Sequence, residues 1–301
     1  MRFRHLDQLR GFCLVAQHAS FTRAAANLNL TKGAISHQID RLETELGFPL
    51  FLRRKRGIEL TPNGERLLRV ADIAFASIEQ EISHLRRSDQ ANITIGMATY
   101  FASRWLSPRL MHFITEHAGI GLRIQPVVGN PDLLHSDLDM AIRWGKGDWN
   151  EPGMVVEQVF ACPAMLAASA ELGRRIEARG IDSLIGRVKL LHDADGSSAW
   201  ADWFAAAGLS MPSGSDDLII PDPNVRVQAV IDGQGVALYD TLVRDEVDKG
   251  RLYLYPPVRL NAYGYYLVYP GGAGSDSPVR VFRDWIMAEA DRYRADPATG
   301  P

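Results

Sequence analysis

The chain has 301 residues, 46% hydrophobic and 23% charged, an ordinary globular composition that excludes a disordered or collagen-like chain. Since domains cluster near about 100 to 200 residues, two are expected. The net charge of -3 divides unevenly, with 14 Lys+Arg against 9 Asp+Glu in residues 1–88 (net +5) and 19 against 27 in the remainder (net -8), so a basic head suited to a polyanion precedes an acidic body.

The start, MRFRHLDQLRGF, has no apolar run ending in a small-residue cleavage site. Nowhere do about 18 uncharged apolar residues follow one another, so a cytoplasmic chain without a membrane span is expected. Cys13 and Cys162 form no CxxC pair and fit a reducing compartment, without a structural zinc site.

Leu6, Leu9, Phe12, Cys13 and Ala16 share one helical face, which predicts a first helix over residues 6–17 buried on one side. Ser20 can cap a short second helix, Phe21 to Leu28, whose Ala24-Ala25-Ala26 run permits close helix approach. After a turn at Asn29-Leu30, Thr31 can cap a third helix that ends near Leu46 at Gly47. Two helices joined by a short turn make a helix-turn-helix. On the third helix Ile35, Ile39, Leu42 and Leu46 form the buried stripe, leaving Lys32, Ser36, His37, Asp40 and Arg41 outward. A helix whose exposed N-terminal half carries donors fits the DNA major groove, although a plain helical core with a solvated face has the same pattern. Pro49–Leu52 and Ile58–Leu60 read as two strands around the tip Arg53-Arg54-Lys55-Arg56-Gly57. Four successive cations suit a wing lying along phosphates, and helix-turn-helix plus basic wing favours DNA binding.

The stretch FTRAAANLNLTKGAISHQIDRLETELGFPLFLRRKRGIELTPNGERLL strongly resembles the DNA-binding domain of LysR-type transcriptional regulators. The resemblance implies Thr22 and Arg23 near phosphates, Lys32, Gly33, Ser36 and His37 facing bases, and Arg53, Arg54, Lys55 and Arg56 in the wing. Thr31 and Arg41 on the same helix join that DNA-contacting set. Lys32 stands where the family more often has glutamine or proline.

Thr61-Pro62 starts a long helix to about Arg87, with Leu67, Ala71, Ala74, Ile78, Ile82 and Leu85 at spacings of three and four. That seam could pack on its own body, but roughly 25 residues extend nearly 40 Å at about 1.5 Å each, which favours pairing between protomers. In the family this is the dimer linker. A two-fold homodimer, extended to a tetramer, predicts an inverted-repeat operator.

Polar residues 88–92 mark a hinge. Beyond it, strands at Asn92–Met97, Leu122–Val128 and Met140–Trp144 and a helix at Phe101–His117 alternate, which signals an α/β fold. Ligands of such sheets bind beyond the carboxyl ends of strands, a position the Thr99–Ser103 turn occupies. Ile219–Asn224 leads into a helix at Val225–Asp232, with Pro223 able to start it, and Gly233–Leu238 reads as a turn and strand. The patterns TYFASRWLSPRL, DLDMAIRWGKGDW and DGQGVALYDTLVRDEVDKGRL resemble the effector domain of the family branch that includes the glycine-cleavage activator and the β-lactamase regulator.

The resemblance implies two α/β lobes like those of type 2 periplasmic-binding proteins, joined by two crossover strands around an effector cleft. Residues matching that cleft are Thr99, Tyr100, Phe101, Ser103, Ile142, Arg143, Trp144, Asp222, Asn224 and Tyr239. Arg143 could clamp a ligand carboxylate or pair with Asp139; both readings are open. Pro223 stands where the branch often has serine or tyrosine. Trp200 and Trp203 either pack a helix or edge the cleft.

No GxxxxGK[ST] loop, GxSxG elbow or HExxH helix occurs, and Gly233-Gln234-Gly235 lacks the third glycine of a dinucleotide fingerprint. The Gly271–Ser275 run reads as a flexible turn. His112 and His117, five apart, share no metal-facing side, and His192, Asp193 and Ser197 are catalytic types without a catalytic pattern. No enzyme, cofactor or metal is therefore expected. The expected organisation is a winged helix-turn-helix over 1–61, a dimerisation helix and hinge over 62–90, a two-lobed effector domain over 91–295 and a tail over 296–301. The expected function is effector-responsive transcriptional regulation, with RNA polymerase as a partner if the chain activates. A ligand-independent regulator with a closed or degenerate cleft is the alternative; an enzyme or a transport component would leave the basic head unexplained.

Overall fold

The structure, a computed structural model, describes residues 6–54, 57–86, 91–129, 131, 133, 136–194, 198–212, 218–272 and 277–295. Lys55 and Arg56 of the wing, most of the expected hinge, Ser197, and the 296–301 tail lie outside the described residues. The chain divides into two units, Met1–Arg86 and Arg87–Pro301.

In the first unit, helices α1 (Leu6–His18), α2 (Phe21–Asn27) and α3 (Lys32–Leu46) precede a hairpin of β1 (Phe51–Arg54) and β2 (Gly57–Leu60), and α4 (Pro62–Arg86) follows. The Ser20 hydroxyl accepts from the Arg23 N–H at 3.4 Å and the Thr31 hydroxyl from the Ala34 N–H at 3.2 Å, so both helix starts lie where side-chain oxygens satisfy free donors. Gly47 ends α3 at φ 77°, a left-handed conformation that glycine adopts without a Cβ clash. Glu43 accepts from the Leu50 and Phe51 N–H groups at 2.6 and 3.0 Å, which ties the end of α3 to the start of the wing. Phe12, Val15, Ile35, Ile39, Leu42 and Leu50 form the core.

Two expectations change here. Leu6 is 46% exposed because it opens α1, ahead of the turn that meets the core. The supposed seam of α4 serves two surfaces: Leu67 and Ala71 pack with Leu68 and Phe75 into the head core, while Ala74, Ile78 and Ile82 face outward. The side chain of Leu85 lies outside the described residues.

The second unit begins with β3 (Ala91–Met97) and a helical run made of α5 (Thr99–Phe101), a π-helical turn (Ala102–Leu106) and α6 (Ser107–Glu116). Then come β4 (Ile120–Pro126), β5 (Met140–Gly145), β6 (Met154–Ala161), β7 (Ala164–Ser169), α7 (Ala170–Arg179), β8 (Leu191–His192), α8 (Ala199–Ala207), β9 (Leu218–Ile219) and α9 (Pro223–Ile231). Finally β10 (Ala237–Tyr239), α10 (Arg244–Asp248), β11 (Leu252–Leu260), β12 (Gly264–Pro270) and α11 (Pro278–Ala295) complete it. One sheet has the order β4-β3-β5-β12-β6, parallel at β3 and antiparallel around β12. The other has β10-β7-β11, extended by the β8-β9 pair through a Leu190–Val236 bridge. The chain crosses between the sheets twice, at Cys162-Pro163 and at residues 261–263, giving two α/β lobes. Phe101, Trp105, Phe113, Phe160 and Phe282 fill the first lobe; Leu166, Trp200, Trp203 and Phe204 fill the second.

Candidate functional site

The outer face of the helix-turn-helix carries the first set of expected contacts. Thr22, Arg23, Thr31, Lys32, Gly33, His37 and Arg41 are exposed and Ser36 is half-buried, all on α2, α3 or the turn between them. Thr31 has a structural task as well, since its hydroxyl caps α3. No acid stands in the first turn of α3, so the positive end of its dipole is uncancelled where phosphate would approach. Gly33 in the same turn leaves an open surface: a Cβ there would meet nothing nearer than the Thr31 hydroxyl at 4.0 Å. Arg53 and Arg54 belong to β1, with Arg54 opposite Gly57.

In the second unit a cavity of about 410 Å³ opens between the lobes. Of the ten residues expected at the cleft, Tyr100, Phe101, Ile142, Arg143, Trp144 and Tyr239 line it. Thr99, Ser103, Asp222 and Asn224 do not. Three of these four join the lobes instead: Asn224 Nδ2 donates to Thr99 Oγ1 at 2.9 Å, and Thr99 Oγ1 donates to Asp222 Oδ2 at 3.3 Å. Asp222 Oδ1 also caps α9, accepting from the Asn224 and Val225 N–H groups at 2.8 and 3.0 Å. Arg104 completes this latch, donating to Asn224 Oδ1 and, at 2.6 Å, to Glu246 Oε1, with its guanidinium 4.4 Å above the Tyr100 ring. Ser103 turns back on its own helix and donates to the Tyr100 carbonyl at 3.2 Å.

Arg143 is buried and its partner is Glu151, not Asp139. It donates to both Glu151 oxygens and to the Pro131 carbonyl. Asp139 lies four residues back along an extended chain, about 13 Å at about 3.3 Å per residue, beyond guanidinium reach. Asp139 instead accepts from the Thr94 N–H at 2.6 Å, linking β3 to the start of β5.

Asp240, directly after β10, is buried. Tyr100 and Tyr265 donate to its two oxygens at 2.7 and 2.8 Å, and the Leu242 N–H at 2.9 Å. Burial holds its carboxyl above the ordinary value even against these three donors, and burial raises the Tyr100 and Tyr265 hydroxyls and the adjacent Cys162 thiol as well.

Residues 6–65 match the bacterial regulatory helix-turn-helix protein, lysR family, and residues 86–291 match the LysR substrate binding domain. The chain belongs to the LysR family of transcriptional regulators. It is 34% identical over 292 residues to the glycine cleavage system transcriptional activator of Escherichia coli (strain K12), covering 96% of this chain and 95% of that one. The HTH-type transcriptional activator AmpR of Rhodobacter capsulatus is 33% identical over 288 residues, covering 95% of this chain and 97% of its own. The effector domain of AmpR from Pseudomonas aeruginosa shares the fold, with a TM-score of 0.58 at 24% identity over 67% of this chain and 96% of that domain. CrgA of Neisseria meningitidis, a LysR-type regulator, is similar over 94% of this chain and 98% of its own, with a TM-score of 0.53 at 22% identity. The two-domain expectation, winged helix-turn-helix followed by a two-lobed effector domain, is thus correct. The LysR-type chain is a DNA-binding regulator with a substrate-binding domain, and its relatives are named regulators and activators, not enzymes. Members of the family bind DNA and small-molecule effectors and act as oligomers. Among the described residues no helix is long and apolar enough to cross a membrane.

Several cleft residues escaped the sequence reading: Lys146, Asp148, Trp149, Arg226, Asp240, Tyr263 and Tyr265 all line the cavity. Arg226 had a readable signal, a cation inside the predicted helix at a position the helical period turns toward Val227 and Val230, both buried. Tyr263, in the second crossover, and Tyr265, near the start of β12, had none, because this stretch is brought to the cavity by the pairing of β12 with distant strands. Trp200 and Trp203 pack the second lobe's core, with Trp200 Nε1 donating to the Leu191 carbonyl at 3.1 Å. His112 meets Glu289 at 2.8 Å while His117 lies beside Phe113, so the two histidines have separate surroundings. His192 lies beside the Trp200 ring, 6.3 Å between centroids. Asp193 lines the cavity and accepts from the Ala194 N–H at 3.0 Å.

Proposed function

We propose that this LysR-type regulator is a cytoplasmic homodimer, doubled to a tetramer, that reads an inverted-repeat operator and changes its grip when a small molecule fills the inter-lobe cavity. Lys32, Gly33, Ser36 and His37 face bases; Thr22, Arg23, Thr31, Arg41 and the wing residues Arg53 to Arg56 hold the phosphates. The protomers pair along α4, where Val70, Ala74, Ile78 and Ile82 recur every four residues and are exposed, 62% for Val70 and 52% for Ile78. Tyr100, Phe101, Ile142, Trp144 and Tyr239 contact the effector. An activator built this way has RNA polymerase as a further partner.

The observation that carries this reading is the cavity of about 410 Å³ walled by both lobes, because a ligand touching both discriminates between lobe arrangements. It also favours an effector-responsive regulator over a ligand-independent one. The test is fluorescence anisotropy of the full chain on duplex DNA from the region flanking its own gene, against a scrambled duplex, at two salt concentrations and with a metabolite panel. Specific binding that weakens steeply with salt is expected, with one metabolite class shifting it. Equal affinity for a half-site and the full dyad would overturn the paired reader.

A further inference from the structure

Three cations line the cavity: Arg143, Lys146 and Arg226. Two are neutralised in place. Arg143 grips Glu151, and Lys146 lies 2.5 Å from Asp202, which also accepts from the Tyr263 hydroxyl at 2.6 Å. Arg226 differs. It is only 9% exposed, yet among the described residues no carboxylate pairs with it. Its Nη1 donates to the carbonyls of Ile220 and Pro221, and its guanidinium lies 5.6 Å above the Tyr239 ring. Two nearby acids are occupied by other donors. Asp222, one helical turn earlier, holds two backbone N–H groups and the Thr99 hydroxyl; Asp240 holds two phenols and a backbone N–H.

A guanidinium taken out of water without a counter-charge is costly, and carbonyls and an aromatic face offset that only in part. Arginine is also the side chain whose planar fork matches a carboxylate in two parallel bonds. We infer that Arg226 anchors the effector, and that the effector is a small monocarboxylate carried on a flat, aromatic body. A single uncompensated cation calls for a single negative charge. Asp148 and Asp193, which also line the cavity, would repel a second one. The flat body follows from the remaining wall, where Trp144, Trp149, Tyr239 and Tyr263 present rings and Trp144 packs on Tyr263 at 4.7 Å between centroids. The Trp144 indole N–H is buried without an acceptor, a donor that a polar edge of such a body would satisfy.

This inference rests on the cavity being the effector site, and the test separates the two. The full chain is titrated calorimetrically with phenylacetate and indole-3-acetate, each beside its uncharged amide, into wild type, Arg226→Gln, Arg226→Lys and Val128→Trp. Val128 lines the cavity and is 59% exposed, so tryptophan there narrows the opening without entering the core. Wild type should bind the acids and hardly the amides. Arg226→Gln should weaken the acids about ten- to a hundredfold, the range of a lost charge-assisted bond, and Arg226→Lys should retain part of the affinity. The unfolding midpoint of ligand-free Arg226→Gln should be no lower than wild type, which a merely structural arginine would not show. Acids and amides binding alike, no acid binding at tens of millimolar, or an unchanged acid affinity in Arg226→Gln would overturn the anchor. If Val128→Trp blocks the probes while Arg226→Gln does not, the cavity remains the effector site and only the anchor falls. If Val128→Trp changes nothing, the site itself falls with it.

Discussion

Arg104→Ala should loosen the join between the two lobes, and its cost can be worked from three contacts. Arg104 Nη2 donates to Glu246 at 2.6 Å, Nη1 donates to Asn224, and the guanidinium covers the Tyr100 ring at 4.4 Å. A hydrogen bond to a charged group contributes about 1.5–3 kcal/mol and a cation–π contact about 0.5–1. The side chains of Arg104 and Glu246 retain 18% and 11% of their exposure, so water takes over part of what is lost and the expected cost is about 2–4 kcal/mol. The assay is urea unfolding followed by tryptophan fluorescence. All six tryptophans, at 105, 144, 149, 200, 203 and 285, lie in the second unit, so the signal reads that unit alone. With an m-value of about 2–3 kcal/mol per molar urea the midpoint should fall by about 1 M. A double-mutant cycle with Glu246→Ala should return a coupling of about 1–3 kcal/mol. An unchanged midpoint, or a coupling below about 0.5 kcal/mol, would refute the latch.

Three further outcomes are expected. Gly64→Ala would place a Cβ 2.3 Å from the Leu50 carbonyl oxygen, so it should destabilise the head by about 1–3 kcal/mol or more, seen as lost helical circular dichroism and operator affinity with unchanged tryptophan fluorescence. Thr31→Ala removes the acceptor of the Ala34 N–H and should cost the head about 1 kcal/mol, lowering its melting temperature by about 4–8 °C. Glu157 is held below its ordinary value of 4.5 chiefly by its hydrogen bonds from Arg283, so its contribution is full above the unfolded value and is lost as pH falls through the folded one. Arg283→Gln should therefore lower the urea midpoint at neutral pH and match wild type in strong acid, by under about 1 kcal/mol because both side chains are more than a quarter exposed; a gap that widens in acid would contradict this.

The head was readable because its signals are local. Ser20, Thr31 and Gly47 fix helix ends within a few residues of themselves, and Ile35, Ile39 and Leu42 fix the inward face of α3. The same spacing misled on α4. Leu67 and Ala71 face the head, whereas Val70, Ala74, Ile78 and Ile82 face outward, and intervals of three and four do not distinguish one surface from two. In the second unit the strands next to the predicted helix were legible. β12 was not, since its partners β5 and β6 lie more than a hundred residues earlier and its burial is nearly continuous instead of alternating. The family resemblance located the cleft but could not sort wall from latch: Thr99, Asp222 and Asn224 meet across more than 120 positions of sequence. Arg143 and Arg226 likewise look equivalent until Glu151 is seen paired with one while, among the described residues, no carboxylate pairs with the other.

That difference bears on how occupancy could reach the rest of the molecule. A ligand shifts an arrangement only through contacts that are stronger in one arrangement than in another. Arg226 lies on α9, the helix whose first turn carries Asn224 and whose cap is Asp222, the two residues that meet Thr99 across the join. Tyr239 donates to the Pro223 carbonyl at 2.5 Å at that same first turn, and its ring lies 5.5 Å from the ring of Tyr100, which Arg104 covers from the other side of the latch. Anything that draws α9 toward the cavity therefore acts on the bonds that hold the lobes together. These bonds are directional and share Thr99 and Asn224 between them, so a displacement of α9 breaks or tightens several at once and gives the two arrangements different energies.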